Sequence, residues 1–80
     1  MTLYFFDFTS ADVLSRDEEG IDLPDVEAAH GVALDALVDA ARDAVQEGSM
    51  NQRYAVEVRN GYGAVLEVTA VFNSKFFRRQ

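Results

Sequence analysis

The sequence predicts an α+β fold, a two-layer sandwich in which one long helix packs on one face of a mainly antiparallel sheet. One segment, about residues 24–47, has the periodicity of an amphipathic helix. Three others, residues 2–9, 53–59 and 64–72, have the alternation or the aromatic and β-branched content of strands. The dipeptide Asn60-Gly61 between the last two is typical of a hairpin. Because one helix covers only one face of a sheet, we expect the other face to stay open.

Length and composition indicate one small folded domain. The 80 residues are 49% hydrophobic and contain no cysteine, which excludes disulfides, cysteine-ligated zinc and thiol nucleophiles. We expect a single domain over residues 1–80, with residues 74–80 as a tail that can be flexible. The N-terminus has no basic start, and no segment approaches the roughly 20 apolar residues of a membrane span. We therefore expect a cytoplasmic protein, and we predict no cofactor and no membrane partner.

Charge is distributed unevenly along the chain. The net charge is −7, but residues 1–50 carry twelve acidic and two basic side chains, whereas residues 51–80 carry two acidic and five basic ones. Such asymmetry fits pairing within the molecule, head-to-tail association or a basic partner. It disfavours general nucleic-acid binding, which needs a concentrated basic surface.

The first strand, residues 2–9, has two different faces because side chains alternate along a strand. Toward the helix it presents Tyr4, Phe6 and Phe8, and on the other side Leu3, Phe5 and Asp7. Apolar pieces near residues 13–15 and 21–23 follow, on either side of a charged turn. We interpret them as two short strands, with Gly20 available for a positive φ. A loop with anchoring apolar residues has the same pattern and stays an alternative.

The central helix has recognisable ends and two faces. Pro24 fits the first turn because its missing N–H has no intrahelical partner there, and Gly48 is a typical C-terminal stop. With Leu37 at the centre, one face is apolar and rich in alanine, which indicates close packing against a sheet. That face comprises Val26, His30, Ala33, Leu34, Ala40, Ala41 and Ala44.

The two strands after the helix complete the sheet. Both alternate, and the side chains predicted to face inward are Tyr54, Val56 and Val58 of the first strand and Leu66, Val68, Ala70 and Phe72 of the second. The uncovered face then carries five apolar residues among a few charges: Leu3, Phe5, Ala55, Val65 and Val71. An apolar patch on a small protein usually marks a partner surface, and we predict a homodimer through this face.

Six carboxylates lie within eleven residues, between Asp17 and Glu27. Carboxylate oxygens suit Ca²⁺ or Mg²⁺, but their spacing does not match the Asp-x-Asp-x-Asp-Gly loop. The preferred interpretation is a turn followed by the acidic helix start that the helix dipole favours. We predict no metal site.

The only histidine, His30, lies by its angle on the apolar helix face. A packed, hydrogen-bonded side chain is the preferred interpretation there. Catalysis would need a nucleophile and an orienting group nearby, and the sequence offers no motif for either. We predict no catalytic residue.

Two charged surfaces are candidates for partner binding. Asp35, Asp39, Asp43 and Glu47 form an acidic stripe at i, i+4 spacing on the outer helix face. The stripe either keeps the helix solvated or docks a basic protein such as a toxin nuclease. The segment from Lys75 to Arg79 interleaves bases with aromatic residues. It either frays or folds back on the acidic helix of its own or a neighbouring subunit.

Four segments resemble a family of small bacterial proteins of unknown function. They are Tyr4-Phe5-Phe6-Asp7, Asp17-Glu18-Glu19-Gly20, Leu23-Pro24-Asp25-Val26-Glu27-Ala28-Ala29 and Val58-Arg59-Asn60-Gly61. The resemblance covers nearly the whole chain and implies a stand-alone bacterial domain without an assigned activity. Residues 21–25 show a weaker resemblance to HicB-type antitoxins, in which a small sheet leads through a Pro-Asp segment into a helix.

Two functions from different classes follow. The first is a non-catalytic interaction module that self-associates through the open sheet face. The alternative is an antitoxin-like regulator whose acidic surface binds a basic toxin or nuclease. An enzyme is the least expected class, because no pair of groups combines suitable chemistry with suitable spacing.

Overall fold

The computed structural model describes residues 1–48 and 52–78 of the chain. Its elements are β1 (Thr2–Ser10), β2 (Val13–Ser15), β3 (Ile21–Leu23), α1 (Val26–Gln46), β4 (Arg53–Asn60) and β5 (Gly63–Val71). One helix packs on a five-stranded sheet in which every strand pair is antiparallel, which confirms the predicted α+β class. Each predicted element is present, with bounds shifted by at most two residues. Residues 49–51 of the predicted connector and residues 79–80 of the predicted tail lie outside the described residues.

The strand order is β2-β1-β4-β5, and β3 also pairs with β1. β2 pairs with the end of β1, in the register Thr9↔Leu14, and β3 pairs with its start, in the register Leu3↔Asp22. The interpretation of these pieces as short strands is confirmed. Residues 16–20 connect them, and β5 forms the far end of the sheet.

Two tight turns join strands that are neighbours in the chain. The turn from β1 to β2 places Ala11 at a φ of 55°, a left-handed conformation that costs a residue with a Cβ about 1 kcal/mol. The hairpin predicted at Asn60-Gly61 is confirmed, and its positive φ of 133° belongs to Gly63. The Asn60 side chain accepts a hydrogen bond from the Tyr62 N–H at 2.8 Å, as in an Asx turn.

Helix α1 starts after an aspartate cap and ends before a glycine. Asp25 Oδ1 accepts a hydrogen bond from the Ala28 N–H at 2.9 Å and so satisfies one of the free donors of the first turn. Pro24 therefore precedes the cap, and its predicted place in the first turn was wrong. Gly48 has a φ of 81° and its N–H donates to the Val45 carbonyl at 3.1 Å, which confirms the predicted stop.

The core lies between α1 and the inner face of the sheet. Its buried residues are Tyr4, Tyr54, Val56, Val58 and Val68 from the strands and Ala29, Ala33, Leu37 and Ala44 from the helix. Around them pack the half-buried side chains Phe6, Phe8, Leu23, Leu66, Ala70 and Phe72. The inner faces predicted from alternation are confirmed for Tyr54–Val58 and for Leu66 onward, but a register shift between them leaves Val65 without a partner and pairs Ala64 with Arg59.

The buried stripe of α1 differs from the predicted one. Ala29 is fully buried, whereas His30 and Leu34 are exposed, so the stripe is turned by about 40° at 100° per residue. The prediction that His30 packs inside was wrong. Alanine side chains let the helix backbone approach the tyrosine and phenylalanine rings of the sheet, so the alanine stripe meets the sheet closely.

Candidate functional site

A polar network joins β1, β4 and the 16–20 loop on the face of the sheet opposite α1. Arg59 Nε donates to Asp7 Oδ2 at 2.8 Å, and Arg59 Nη2 donates to the Asp17 carbonyl at 2.7 Å. The Asp17 N–H donates to Asp7 Oδ1 at 2.9 Å. Asp7 is buried and Arg59 is half-buried, so much of this ion pair is shielded from solvent. We refer to these three residues as the Asp7–Arg59–Asp17 network.

The Asp17 carboxylate holds the loop against β1. Its Oδ2 accepts the Phe6 N–H at 3.0 Å, and its Oδ1 accepts the N–H groups of Glu19 and Gly20 at 3.0 and 3.2 Å. Phe6 lies between the segment of β1 that pairs with β3 and the one that pairs with β2. The carboxylate therefore accepts the hydrogen bond of a β1 N–H at the position where neither β2 nor β3 pairs with β1.

The loop packs closely on the outer side chains of β1. A Cβ at Gly20 would lie 3.0 Å from side-chain carbons of Leu3 and Phe5 and 3.0 Å from the Tyr4 carbonyl oxygen. Gly20 also has a φ of 75°, as the sequence allowed, and glycine meets both requirements. The Arg59 guanidinium lies 4.5 Å from the centroid of the Phe5 ring, in cation–π contact.

Both carboxylates of the network are held in their charged form. Burial acts to raise the pKa of Asp7, but the hydrogen bonds from Arg59 and from the Asp17 backbone, together with the charge of Arg59, bring that pKa below its ordinary value. The hydrogen bond from the Phe6 backbone lowers the pKa of Asp17, against a smaller opposing effect of burial. Around neutral pH, Asp7 therefore keeps its ion pair with Arg59, and both carboxylates keep their hydrogen bonds from the backbone.

The network is arranged to hold the loop. Each of the four carboxylate oxygens accepts at least one hydrogen bond from a backbone N–H or from Arg59. A general base or nucleophile needs an oxygen directed at a substrate, and these four are directed at the protein. Within residues 1–48 and 52–78, no group of three or more His, Asp or Glu side chains is placed to bind a metal ion.

Sequence alternation places Asp7 and Arg59 on the outer face but does not pair them, because 52 residues separate them. The available signal was the set of segments that carry the family resemblance. Residues 4–7 contribute Asp7, residues 17–20 contribute Asp17 and residues 58–61 contribute Arg59. Three segments that are distant in sequence thus meet at one place.

Two carboxylates of the acidic segment from Asp17 to Glu27 have structural roles. Asp17 holds the turn and Asp25 caps the helix, as the interpretation of a turn and an acidic helix start predicted. Glu18, Glu19 and Glu27 are exposed.

The five residues of the predicted partner surface differ in exposure. Leu3, Val65 and Val71 are exposed, Phe5 is half-buried beside Gly20, and Ala55 is buried. The centre of this outer face also carries Glu57 directly opposite Glu67. Like charges in such a pair destabilise a sheet, so this position favours a partner that brings a base.

The acidic stripe is fully on the surface: Asp35, Asp39, Asp43 and Glu47 are all exposed. Arg42 Nη1 pairs with Asp39 Oδ1 at 3.0 Å, and no other ion pair involves the stripe within the described residues. The last turn of α1 contains no basic residue. Asp43 and Glu47 therefore lie at the negative end of the helix dipole, where a base is favoured.

A groove of about 540 Å³ lies between the C-terminal half of α1 and the end of the sheet formed by β1 and β2. Phe8 and Tyr54 contribute its aromatic floor, and Asp43 and Glu47 its acidic rim. Its volume is within the range of small-ligand pockets. The basic and aromatic residues of the tail, Lys75, Phe76, Phe77 and Arg78, are exposed and do not fill it.

Among the described residues, α1 is too polar to cross a membrane, and the structure contains no other helix. A family model described as a domain of unknown function (DUF6894) matches residues 3–72. The match confirms the resemblance to a family of small domains without an assigned function. No curated protein and no solved structure matches the chain.

Proposed function

We propose that this chain, which belongs to the DUF6894 family of domains of unknown function, is a non-catalytic protein-interaction module that binds a second copy of itself. One observation carries the proposal. No helix or second sheet covers the outer face in the described part of the chain, the 16–20 loop covers only part of β1, and Leu3, Val65 and Val71 remain exposed. Exposed apolar side chains grouped on one face are typical of an interaction surface.

The outer face is small for a stable protein–protein interface. β1, β4 and β5 lie side by side and are eight or nine residues long. At about 4.8 Å between strands and about 3.3 Å per residue, they present a face of roughly 400 Å². A standard interface buries about 800 Å² per partner. We therefore expect weak association through this face, with a dissociation constant of roughly tens of micromolar.

The non-catalytic part of the proposal is supported by the Asp7–Arg59–Asp17 network. It is the one place among the described residues where buried acidic and basic groups meet, and its hydrogen bonds are directed at the protein itself. The cytoplasmic location that we propose is compatible with a chain that contains no cysteine. The net charge of −7 argues against nucleic acid as a partner.

Sedimentation equilibrium from about 1 to 300 μM, a range that spans the expected affinity, tests the proposal. Leu3→Lys/Leu14→Lys introduces two charges on the outer face, since Leu14 lies opposite Thr9 of β1. We expect wild type to associate and the double variant to associate more weakly, because it loses the contact made through the outer face. Val13→Lys, at an exposed neighbouring position directed to the inner side, is the matched control. A wild-type monomer at every concentration would refute self-association.

A second candidate is an antitoxin-like regulator that binds a basic toxin or nuclease through the acidic stripe. Supporting it are the exposed carboxylates of Asp43 and Glu47 at an end of α1 that has no base. Binding should weaken with salt, because exposed charge pairs are screened. Co-expression with a basic protein from a neighbouring gene should give a complex that Asp43→Asn/Glu47→Gln weakens. A complex that is indifferent to both salt and these substitutions would exclude the acidic stripe.

A further inference from the structure

We infer that the free edge of β5 pairs with β5 of a second copy, so that two sheets join into one continuous antiparallel sheet with the two α1 helices side by side. The inference rests on the proposed self-association, but it uses a different surface. That surface consists of the outer edge of β5 and one flank of α1.

The edge of β5 is long and carries neither lysine nor proline, although a register shift against β4 lies near its start, where Val65 has no partner on β4. Exposed edges are normally short, interrupted, or guarded by lysine or proline. The opposite end of the sheet has such protection. β2 is only three residues long, and the Asp17 carboxylate already accepts a hydrogen bond from the Phe6 N–H of the adjacent strand β1. β5 has nine residues, Gly-Ala-Val-Leu-Glu-Val-Thr-Ala-Val, with Glu67 as its one charge. No described strand lies beyond it.

The direction of the backbone groups shows which residues would pair. The Phe72 N–H donates to the Gln52 carbonyl at 2.9 Å, so even-numbered positions at this end of β5 direct their backbone groups toward β4. Backbone groups alternate along a strand, and the odd-numbered positions therefore face the free edge. On the C-terminal side of the register shift at Val65, these positions are Glu67, Thr69 and Val71.

Side-chain chemistry favours one of the two central registers for this pairing. A two-fold axis at Glu67 would place the Glu67 carboxylates of the two copies directly opposite each other, which is unfavourable. An axis at Val68 avoids this contact and keeps inner and outer faces continuous. It gives the pairs Glu67–Thr69 and Leu66–Ala70 between the copies and places Val71 opposite Val65, the residue at the register shift. Apolar residues then oppose apolar residues, and the glutamate opposes a hydroxyl.

One flank of α1 is apolar, exposed and directed to the same side. Leu34, Val38 and Val45 are 41%, 53% and 61% exposed, and their i, i+4, i+11 spacing places them in one stripe. The opposite flank, with Ala40 and Asp43, lines the groove beside β1 and β2. The apolar stripe consequently faces the β5 end of the sheet, where a second helix would cover it.

The expected distances agree with helix packing. α1 packs across both β4 and β5. Neighbouring strands are about 4.8 Å apart, so the two-fold axis between the copies lies about 2.4 Å outside β5. A helix above the boundary between β4 and β5 is then about 5 Å from that axis. The two helices would then be about 10 Å apart, close to the 8–10 Å at which helices pack. Strand pairing and helix contact can therefore form together.

Sedimentation equilibrium with two sets of variants separates this surface from the outer face. We expect Val38→Lys/Val45→Lys to raise the dissociation constant at least about tenfold, and Val13→Lys, 67% exposed but outside both surfaces, to behave as wild type. If Val38→Lys/Val45→Lys dimerises as wild type does while Leu3→Lys/Leu14→Lys is monomeric, the inference fails and the proposed function stands. If wild type never dimerises, both fail.

The register has its own test, because the chain contains no cysteine and an introduced thiol is unique. Hydrogen-bonded antiparallel partners have Cα atoms about 5.5 Å apart, within disulfide range. A mixture of Glu67→Cys and Thr69→Cys should give a disulfide-linked heterodimer, and each variant alone should not crosslink efficiently. A homodimer of Glu67→Cys alone would place the axis at Glu67 and refute the register. No crosslink in the mixture, at concentrations where wild type dimerises, would refute the pairing.

Discussion

Arg59 Nε donates to Asp7 Oδ2 at 2.8 Å across 52 residues of sequence, and the same guanidinium holds the backbone of Asp17. The contact ties β4 to β1 and to the loop that separates β2 from β3. A shielded charge pair contributes little net stability over an apolar pair, because desolvation offsets the attraction. Its effect here is geometric: it places the 16–20 loop over one part of β1.

Removing one partner of this ion pair should be costly. Arg59→Met leaves the buried Asp7 carboxylate without its cation, and we expect it to lower the free energy of unfolding by about 3 kcal/mol. Asp7→Leu/Arg59→Met removes both charges and should cost less than the sum of the two single changes. Urea denaturation measures all three. Arg42→Met, which breaks the exposed pair with Asp39, is the control and should change stability by under about 0.5 kcal/mol.

Acid should destabilise the protein through the network. The pKa values of Asp7 and Asp17 lie below their ordinary values in the folded protein and return to about 3.9 on unfolding. The unfolded state then binds more protons, so this stabilisation is present above about pH 4–5 and is lost as pH falls through the lowered pKa values. Thermal unfolding from pH 7 to pH 2 should show the loss below about pH 4. The loss of stability on acidification should be smaller in Asp17→Asn than in the exposed control Asp35→Asn. Equal losses would contradict the attribution of the acid sensitivity to the Asp7–Arg59–Asp17 network.

Two glycine-to-alanine substitutions should change the free energy of unfolding in opposite directions. Gly20→Ala adds a Cβ at a φ of 75° and at 3.0 Å from the Tyr4 carbonyl oxygen, so we expect a loss of about 2 kcal/mol. Gly31→Ala adds a methyl group that, apart from its chain neighbours and the helix's own backbone, has no atom within 4 Å, so we expect a gain of about 1 kcal/mol. Denaturant midpoints compare them directly. A neutral Gly20→Ala would mean that the loop is free to move away from β1.

The turn between β1 and β2 offers a stabilising change. Ala11 has a φ of 55°, which glycine adopts without the strain that a Cβ introduces. We expect Ala11→Gly to raise the free energy of unfolding by up to about 1 kcal/mol. Ala36→Gly, at an exposed position inside α1, is the control and should lower it by about 1 kcal/mol. A loss of stability in Ala11→Gly would show that the left-handed conformation is not strained.

The layer architecture could be predicted because its signals are local. Alternation in residues 53–59 and 64–72 gave the strand faces, and the helical period of residues 24–47 gave one long helix. Gly48 and Asn60 marked chain reversals through their own backbone and side-chain chemistry. The helix face was less well determined, because Ala, Val and Leu occur on more than one side of α1.

The sequence by itself determined two layers, the order of the elements and the set of side chains on each face of the sheet. The tertiary structure alone decided that Ala29 is buried while His30 is exposed, that Asp7 binds Arg59 and the backbone of Asp17, and that β5 lies at one end of the sheet. Side-chain periodicity depends only on the local backbone conformation of neighbouring residues, so it can be recognised in the sequence. The roll of a helix on a sheet and the meeting of side chains 52 residues apart depend on the packing of the whole molecule.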